Sequence, residues 1–121
     1  AKFENCKLSG SDFSDTSNLN CEFKQCQLCY CFMPDFNFKK LTLNELNFNG
    51  AELNGCDFRD TIWENCSMRE ATIRQCRFKG ADLRGCDLGG LTFSEAGNLK
   101  GSYISKSQAS DILGALAITV L

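Results

Sequence analysis

The chain has 121 residues, of which 43% are apolar, and it carries a formal net charge of −2 with no histidine. This length suits a single domain with one hydrophobic core. No run of about 18 apolar residues is present, so the sequence predicts no membrane span, and no signal peptide is visible. The chain also lacks a G-x-S-x-G sequence and a glycine-rich phosphate loop. We therefore expect no enzyme activity, no catalytic residues and no cofactor.

Every fifth residue from Phe3 to Phe93 falls in one apolar column, in which eighteen of nineteen positions are large and apolar. Asn18 is the exception. After Phe93 the spacing becomes six, and the column continues through two more residues. The predicted core ladder is Phe3, Leu8, Phe13, Phe23, Leu28, Met33, Phe38, Leu43, Phe48, Leu53, Phe58, Trp63, Met68, Ile73, Phe78, Leu83, Leu88, Phe93, Leu99 and Ile104.

A second column, of mostly small residues, lies two positions before each large one. A period of five gives no stripe on a helix and alternates between the faces of a straight strand. Two inward residues spaced two apart fit a short extended segment, and a corner every five residues points the next pair inward again. Gly, Asn and Asp recur two residues after the large apolar position, where they suit such a corner. The pattern predicts a solenoid whose coils are stabilised by stacking.

The chain resembles the pentapeptide-repeat proteins, whose consensus is Ala-(Asp/Asn)-Leu-X-X. The segments Gly50-Ala51-Glu52-Leu53-Asn54 and Gly80-Ala81-Asp82-Leu83-Arg84 carry the likeness most clearly. The resemblance implies an all-β solenoid, namely a right-handed quadrilateral β-helix with twenty residues in each of about five coils. A polar cap usually ends a solenoid, and none is visible at the N-terminus, so we expect further coils upstream in a longer parent protein.

Nine cysteines would ordinarily suggest disulfides or a metal site. Eight of the nine occupy the small inward column, where a thiol behaves as a small hydrophobe. Cys29 follows the inward Leu28 and is expected to point outward, away from Cys26, although the two form a C-x-x-C sequence. We therefore expect structural cysteines, no metal ligand and a cytoplasmic location.

The repeat is interrupted at three points. Leu19 takes the place of a large residue at position 18, which predicts a one-residue bulge. Bulky residues replace small ones after the only proline, Pro34, and predict a reshaped coil; they are Phe36, Leu41 and Leu46. Repacking of the core is one explanation, and a partner surface with outward Tyr30, Phe32 and Ile62 is the other. The third interruption is the shift after Phe93.

The C-terminal segment differs from the repeats. Ser105 and Gln108 have the spacing of a capping box, which predicts a helix start. Apolar residues follow at helical spacing and lead into a β-prone tail. We divide the chain into a β-helix at 1–104 and a capping or dimerisation segment at 105–121. The predicted dimerisation residues are Ala109, Ile112, Leu113, Leu116, Ile118 and Val120.

This C-terminal segment resembles the quinolone-resistance (Qnr) and mycobacterial fluoroquinolone-resistance branch of the repeat proteins. The likeness lies in the run Asn98-Leu99-Lys100-Gly101, then Ile104, Gln108-Ala109 and an apolar ending. It implies a homodimer through the C-terminal helix. It also implies a DNA mimic that binds DNA gyrase or topoisomerase IV and protects them from quinolone-like inhibitors. The chain is about half the usual length and lacks the projecting loops of many Qnr proteins.

Charge is distributed unevenly between two adjacent sides of the predicted helix. The acidic side combines five carboxylates with Arg74, and its predicted partner-binding residues are Asp12, Asp15, Asp35, Glu52 and Glu95. The basic side combines Asp57 and Asp60 with six cations, which are Lys39, Lys40, Arg59, Arg77, Lys79 and Lys100. Duplex DNA carries a charge about every 1.7 Å, far denser than the acidic side. A mixed, solvated surface is the competing interpretation, in which the chain is an adaptor with an unknown partner. The basic side lacks outward aromatics for base stacking, and we expect no direct nucleic-acid contact.

Overall fold

Six short strands and two helices make up the computed structural model, which describes residues 2–14 and 22–121. The strands are β1 (Lys2–Glu4), β2 (Glu22–Lys24), β3 (Thr42–Asn44), β4 (Ile62–Glu64), β5 (Cys66–Ser67) and β6 (Cys86–Asp87). The first four form a parallel sheet in the order β1-β2-β3-β4, and β5 pairs in parallel with β6. The helices are α1 (Phe93–Gly97) and α2 (Lys106–Ala115).

Each segment pairs with the segment twenty residues later. Phe3 lies opposite Phe23, Leu43 opposite Trp63, and Cys66 opposite Cys86. Isolated parallel bridges, such as Glu52 to Thr72, continue this register between the strands. Parallel pairing at a constant offset, with no helix in the described segments between β2 and β6, makes the fold a β-helix. The large apolar residues therefore stack directly above one another from coil to coil.

The corners lie at the predicted position, two residues after each large apolar residue. Non-glycine residues with positive φ recur there at five-residue spacing, and they include Asn5, Gln25, Tyr30, Asp35, Lys40, Glu45, Asp60, Asn65, Glu70 and Gln75. Gly50 occupies one such corner with φ of 70°, and the ring of Tyr30 in the preceding coil packs directly over it. The prediction of a turning backbone at this position is confirmed.

Aromatic rings form the centre of the core. Phe38, Phe58 and Phe78 stack in successive coils, with ring centroids 5.0 and 5.2 Å apart. Trp63 is buried beside them, and its indole N–H donates to Thr61 Oγ1 at 2.9 Å. Thr61 is itself buried and donates to a backbone carbonyl. The one polar pair in this part of the core is therefore fully hydrogen-bonded, as a buried pair must be.

The core ladder ends differently from the prediction. Phe93 is 81% exposed because it begins α1, so its assignment to the core is wrong. Thr92 caps this helix and forms a capping box with Glu95. Near the N-terminus, Phe3 and Leu8 are half-buried and pack against the core. All other ladder residues up to Leu99 are buried, and Ile104 is half-buried.

Helix α1 interrupts the ladder of backbone hydrogen bonds. In one coil, the N–H groups of Leu53 and Phe58 donate to carbonyls of the next coil. Their counterparts Ile73 and Phe78 have no such acceptor among the residues that the structure describes. Pairing resumes between Asp82 and Tyr103, now at an offset of 21 residues. The predicted one-residue shift after Phe93 is confirmed, and a helix accompanies it.

Of the other two predicted interruptions of the repeat, the one after Pro34 lies within the described residues. Phe36 and Leu46 are buried, and the ring of Phe36 stacks on Phe38 at 5.6 Å. The bulge predicted at Asn18 and Leu19 lies outside the described residues.

Candidate interaction surfaces

The acidic side presents one straight outward column. Asp12 pairs with Phe32, Phe32 with Glu52, and Glu52 with Thr72, all through parallel bridges. Two exposed carboxylates thus flank an aromatic ring, which is 40% exposed. A hydrogen bond from Ser14 lowers the pKa of Asp12, so its carboxylate is ionised at neutral pH. Asp35 is exposed at a corner of the same side.

Two predicted members of this acidic side are not part of the column. Asp15 falls outside the described residues. Glu95 belongs to α1, where its carboxylate accepts from the Thr92 N–H at 3.1 Å. The side was assigned from a strict five-residue register, and the helix breaks that register. Glu95 is therefore a helix-capping residue in this structure, and its role in partner binding stays a prediction.

The outward aromatic and apolar residues are exposed as predicted. Tyr30 is 72% exposed, and its ring covers Gly50 in the next coil. Ile62 is 46% exposed and lies in a column between Thr42 and Asp82. Tyr30 immediately precedes the acidic column at the corner of the helix. This surface therefore combines carboxylates with apolar area, which suits a protein partner.

The basic side is partly neutralised by its own carboxylates. Arg59 makes two hydrogen bonds to Asp57, at 2.9 and 2.7 Å, and they lower the pKa of that carboxyl. Within the described chain, Arg77, Lys79 and Lys100 form no ion pair. Lys39 and Lys40, at the other end of this side, also form no ion pair within the described chain.

The cysteines form a recurrent contact. Thiols donate to the carbonyl of the large apolar residue 23 positions earlier, in the preceding coil, at 2.9 to 3.4 Å. The donor–acceptor pairs are Cys26–Phe3, Cys31–Leu8, Cys56–Met33, Cys66–Leu43 and Cys76–Leu53. Burial raises the pKa of the Cys66 and Cys86 thiols, which keeps them protonated. Within the described residues, no group of cysteines and carboxylates is arranged to hold a metal ion.

Helix α2 covers the end of the core and is tied to it by one side chain. Ser105 and Gln108 form the predicted capping box. The same Gln108 amide donates to the carbonyls of Leu83 and Cys86 at 2.6 and 2.7 Å. Ile112 is buried in the core cluster. The helix is therefore anchored by both polar and apolar contacts.

The predicted dimerisation residues are divided between this cap and the surface. Ile112 is buried in the core of its own chain and also lines the apolar groove beside α2. Ala109 and Leu113 line an apolar groove of about 570 Å³ beside α2. Leu116 is half-buried at the end of the helix. Ile118 and Val120 are 50% and 55% exposed, and the predicted β-prone tail forms no strand.

A family model described as pentapeptide repeats matches residues 21–60 and 51–90 with eight copies. The chain belongs to the pentapeptide repeat family. Among solved structures it is similar to a trypsin-treated variant of QnrB1, described as a plasmid-mediated fluoroquinolone resistance protein. The two are 21% identical with a TM-score of 0.62, over 99% of this chain and 58% of that one. A pentapeptide repeat protein of the Arabidopsis thaliana thylakoid lumen matches at 14% identity and a TM-score of 0.30, over 93% and 88%.

These matches identify the fold as a right-handed β-helix. The chain spans 58% of the length of that QnrB1 chain. No curated protein matches it. No helix in the described part of the chain is long and apolar enough to cross a membrane.

Sequence reasoning missed three features of this pentapeptide repeat protein. Helix α1 was missed although Thr92 and Glu95 have the spacing of a capping box. The second contact of Gln108, to the carbonyls of the last coil, has no local signal because its partners are 22 and 25 residues away. Tyr103, at 63% exposed, was also missed. The resumed pairing places it outward.

Proposed function

We propose that this chain is a non-enzymatic binding protein of type II topoisomerase, either DNA gyrase or topoisomerase IV, and that it protects the enzyme from quinolone-like inhibitors. The observation that carries the proposal is the acidic column Asp12–Phe32–Glu52. Coils in such a fold are about 4.8 Å apart, so its carboxylates lie about 10 Å apart on a straight line. A topoisomerase surface that binds the DNA backbone is basic and would be attracted to this column.

Phe32 and Tyr30 increase the affinity of the column for a protein partner beyond what its charges alone would provide. Carboxylates at these spacings are sparser than DNA phosphates. Exposed aromatic rings add apolar contact area and accept arginine stacking. The proposed surface is therefore a partial DNA mimic in which aromatic contacts compensate for low charge density.

Several finer features accompany this proposal. We take the helix to be quadrilateral with about five coils, because its corners recur every five residues and its pairs every twenty. The proposal also includes a boundary at residue 104 between the β-helix and the C-terminal segment, a cytoplasmic location and the absence of a cofactor. Fluoroquinolone resistance is the property of QnrB1, and its extension to this chain rests on the resemblance of the C-terminal segment.

A gyrase supercoiling assay with and without a fluoroquinolone tests the function. Glu52→Lys reverses one charge of the acidic column, and Glu64→Lys makes the same change at an exposed strand residue on another side. We expect the unchanged protein and Glu64→Lys to protect supercoiling at micromolar concentration. Glu52→Lys should weaken protection at least about tenfold, because it places a cation against a basic partner surface. Equal protection by both variants would contradict the assignment of the acidic column.

The alternative is a structural or adaptor protein with a different partner. The well-packed core and the mixed charge of the surface favour it, since both would serve any binding protein. If the protein neither inhibits nor protects gyrase and topoisomerase IV at micromolar concentration, only this alternative remains.

A homodimer through the C-terminal segment is part of the proposal. The exposed Ile118 and Val120 and the apolar groove beside Ala109 and Leu113 supply the contact surface. Mass in solution, measured by light scattering, should correspond to two chains. Removal of residues 105–121 should give a monomer, and so should Val120→Glu, which leaves the Gln108 cap intact. A monomeric starting protein would refute the dimer.

A further inference from the structure

A groove of about 560 Å³ opens on the basic side, next to α1. It lies above residues 76–79 and below residues 97–101. The groove adjoins Gly97, the last residue of α1, and lies where the pairing offset changes from 20 to 21 residues. Gly101 closes one end of the groove. The Gly80 N–H donates to the Gly101 carbonyl at 2.9 Å. A Cβ on Gly101 would lie 3.2 Å from the Lys79 Cα, so the coils are in close contact there.

All the charged residues that line the groove are basic. Arg59, Arg77, Lys79 and Lys100 line it, and no carboxylate from residues 2–14 or 22–121 does. Arg59 is held by Asp57, whereas the other three cations form no ion pair with any residue that the structure describes. Four cations without a lining anion are unusual in a chain whose net charge is −2.

The floor of the groove offers a backbone donor. In the preceding coil, the Phe58 N–H donates to the Arg77 carbonyl at 2.8 Å. The equivalent residue Phe78 lines the groove, and its N–H finds no acceptor in the described part of the chain. Backbone N–H groups next to cations form the usual lining of a phosphate site.

We propose that this groove binds a multiply charged phosphate group. Arg77 supplies a planar guanidinium that matches phosphate oxygens, and the lysines supply point charges. The Phe78 N–H supplies a directional hydrogen bond on the floor. A compact oligophosphate, as in a nucleotide, fits better than a strand of bases, because the lining contains no exposed aromatic ring for stacking. This site is independent of the acidic column and of the proposed topoisomerase binding.

Titration calorimetry with inorganic triphosphate at low salt tests the site in the full chain. Arg77→Glu reverses a charge in the groove. Arg74→Glu is the matched control, because Arg74 is also an exposed arginine without an ion pair, three residues away and outside the groove. We expect Arg77→Glu to weaken binding at least about tenfold, as loss of a charged hydrogen bond does. Arg74→Glu should change the affinity less than about twofold.

A short single-stranded oligonucleotide, titrated in parallel, identifies the source of the phosphate. Binding of triphosphate that Arg77→Glu abolishes supports a small oligophosphate ligand. Binding of the oligonucleotide alone, lost in the same variant, supports a nucleic-acid backbone. Equal losses in Arg77→Glu and Arg74→Glu would overturn the proposal, because they would reflect overall charge. Failure of both probes to bind at millimolar concentration would overturn it as well. Unchanged thermal unfolding of both variants shows that the fold is intact.

Discussion

The stacked coils and the C-terminal end of this protein are built on different principles. In the coils, each side repeats the side twenty residues earlier, and Phe38, Phe58 and Phe78 stack face to face. At the C-terminal end, two helices with capping boxes replace that repetition. Stability in the coils comes from identical contacts between neighbours. At the end it depends on single side chains, above all Gln108.

The difference shows where new surfaces can arise in a repeat protein. A regular coil uses its backbone donors and acceptors on its neighbours, as Leu53 and Phe58 do. Helix α1 leaves the N–H groups of Ile73 and Phe78 outside that ladder and opens the basic groove. A break in the repetition can therefore create a surface that the regular coils do not have. Four experiments test this contrast, in decreasing order of the expected effect.

The largest effect is expected from Phe58→Ala, in the centre of the aromatic stack. Phe58 is completely buried and contacts rings in both neighbouring coils. Its truncation should lower the free energy of unfolding by about 3–5 kcal/mol in urea denaturation. Phe93→Ala is the control at the C-terminal end, where the exposed ring should contribute under about 0.5 kcal/mol. Similar losses in both variants would show that the ladder extends through Phe93.

Gln108→Glu isolates the polar anchor of α2. It keeps an oxygen for the Ser105 N–H but places a carboxylate against the carbonyls of Leu83 and Cys86. We expect a loss of about 2–3 kcal/mol in unfolding free energy, from two broken hydrogen bonds and the repulsion. Ser105→Ala removes only the cap and should cost about 1 kcal/mol. If Gln108→Glu costs no more than Ser105→Ala, the contact with the last coil is unimportant.

Ala117→Gly should stabilise the end of α2. Ala117 has φ of 60°, and its N–H and that of Ile118 donate back to Gly114 and Leu113. This is the hydrogen-bond pattern of a helix ending that favours glycine. The left-handed conformation costs alanine about 1 kcal/mol, and glycine avoids most of that cost. A rise in the thermal midpoint checks the prediction, and Ala115→Gly within the helix should lower it.

The smallest effect concerns the ion pair of Asp57 and Arg59. Arg59 lowers the pKa of Asp57 in the folded chain, so the pair stabilises the fold above the usual aspartate pKa of about 3.9. That stabilisation is lost as pH falls through the lowered pKa. Asp57→Asn should therefore be slightly less stable than the unchanged protein at pH 7, and the gap should narrow as pH falls through the lowered pKa of Asp57. A gap that stays constant with pH would attribute the effect to contacts that do not depend on the charge of Asp57.

Most of the fold could be predicted because its signal is periodic. The column of large residues and the corners two positions later identify inward side chains and turns one coil at a time. Phe93 continues that column in sequence, yet a helix begins there because Thr92 and Glu95 cap it. A local capping signal thus overrode the repeat. The basic groove was beyond sequence reasoning, since it depends on how residues 76–79 and 97–101 meet after that break.

The buried thiols that contact carbonyls of the preceding coil can report how the stacked coils separate during unfolding. Buried cysteines lie at successive heights along the stack, from Cys26 and Cys31 through Cys56 to Cys86. Each is protected while its coil is closed and becomes reactive when the coil separates from its neighbour. In a molecule whose coils touch only their neighbours, opening spreads inward from the ends. The order in which these thiols react with an alkylating reagent therefore reports which end opens first.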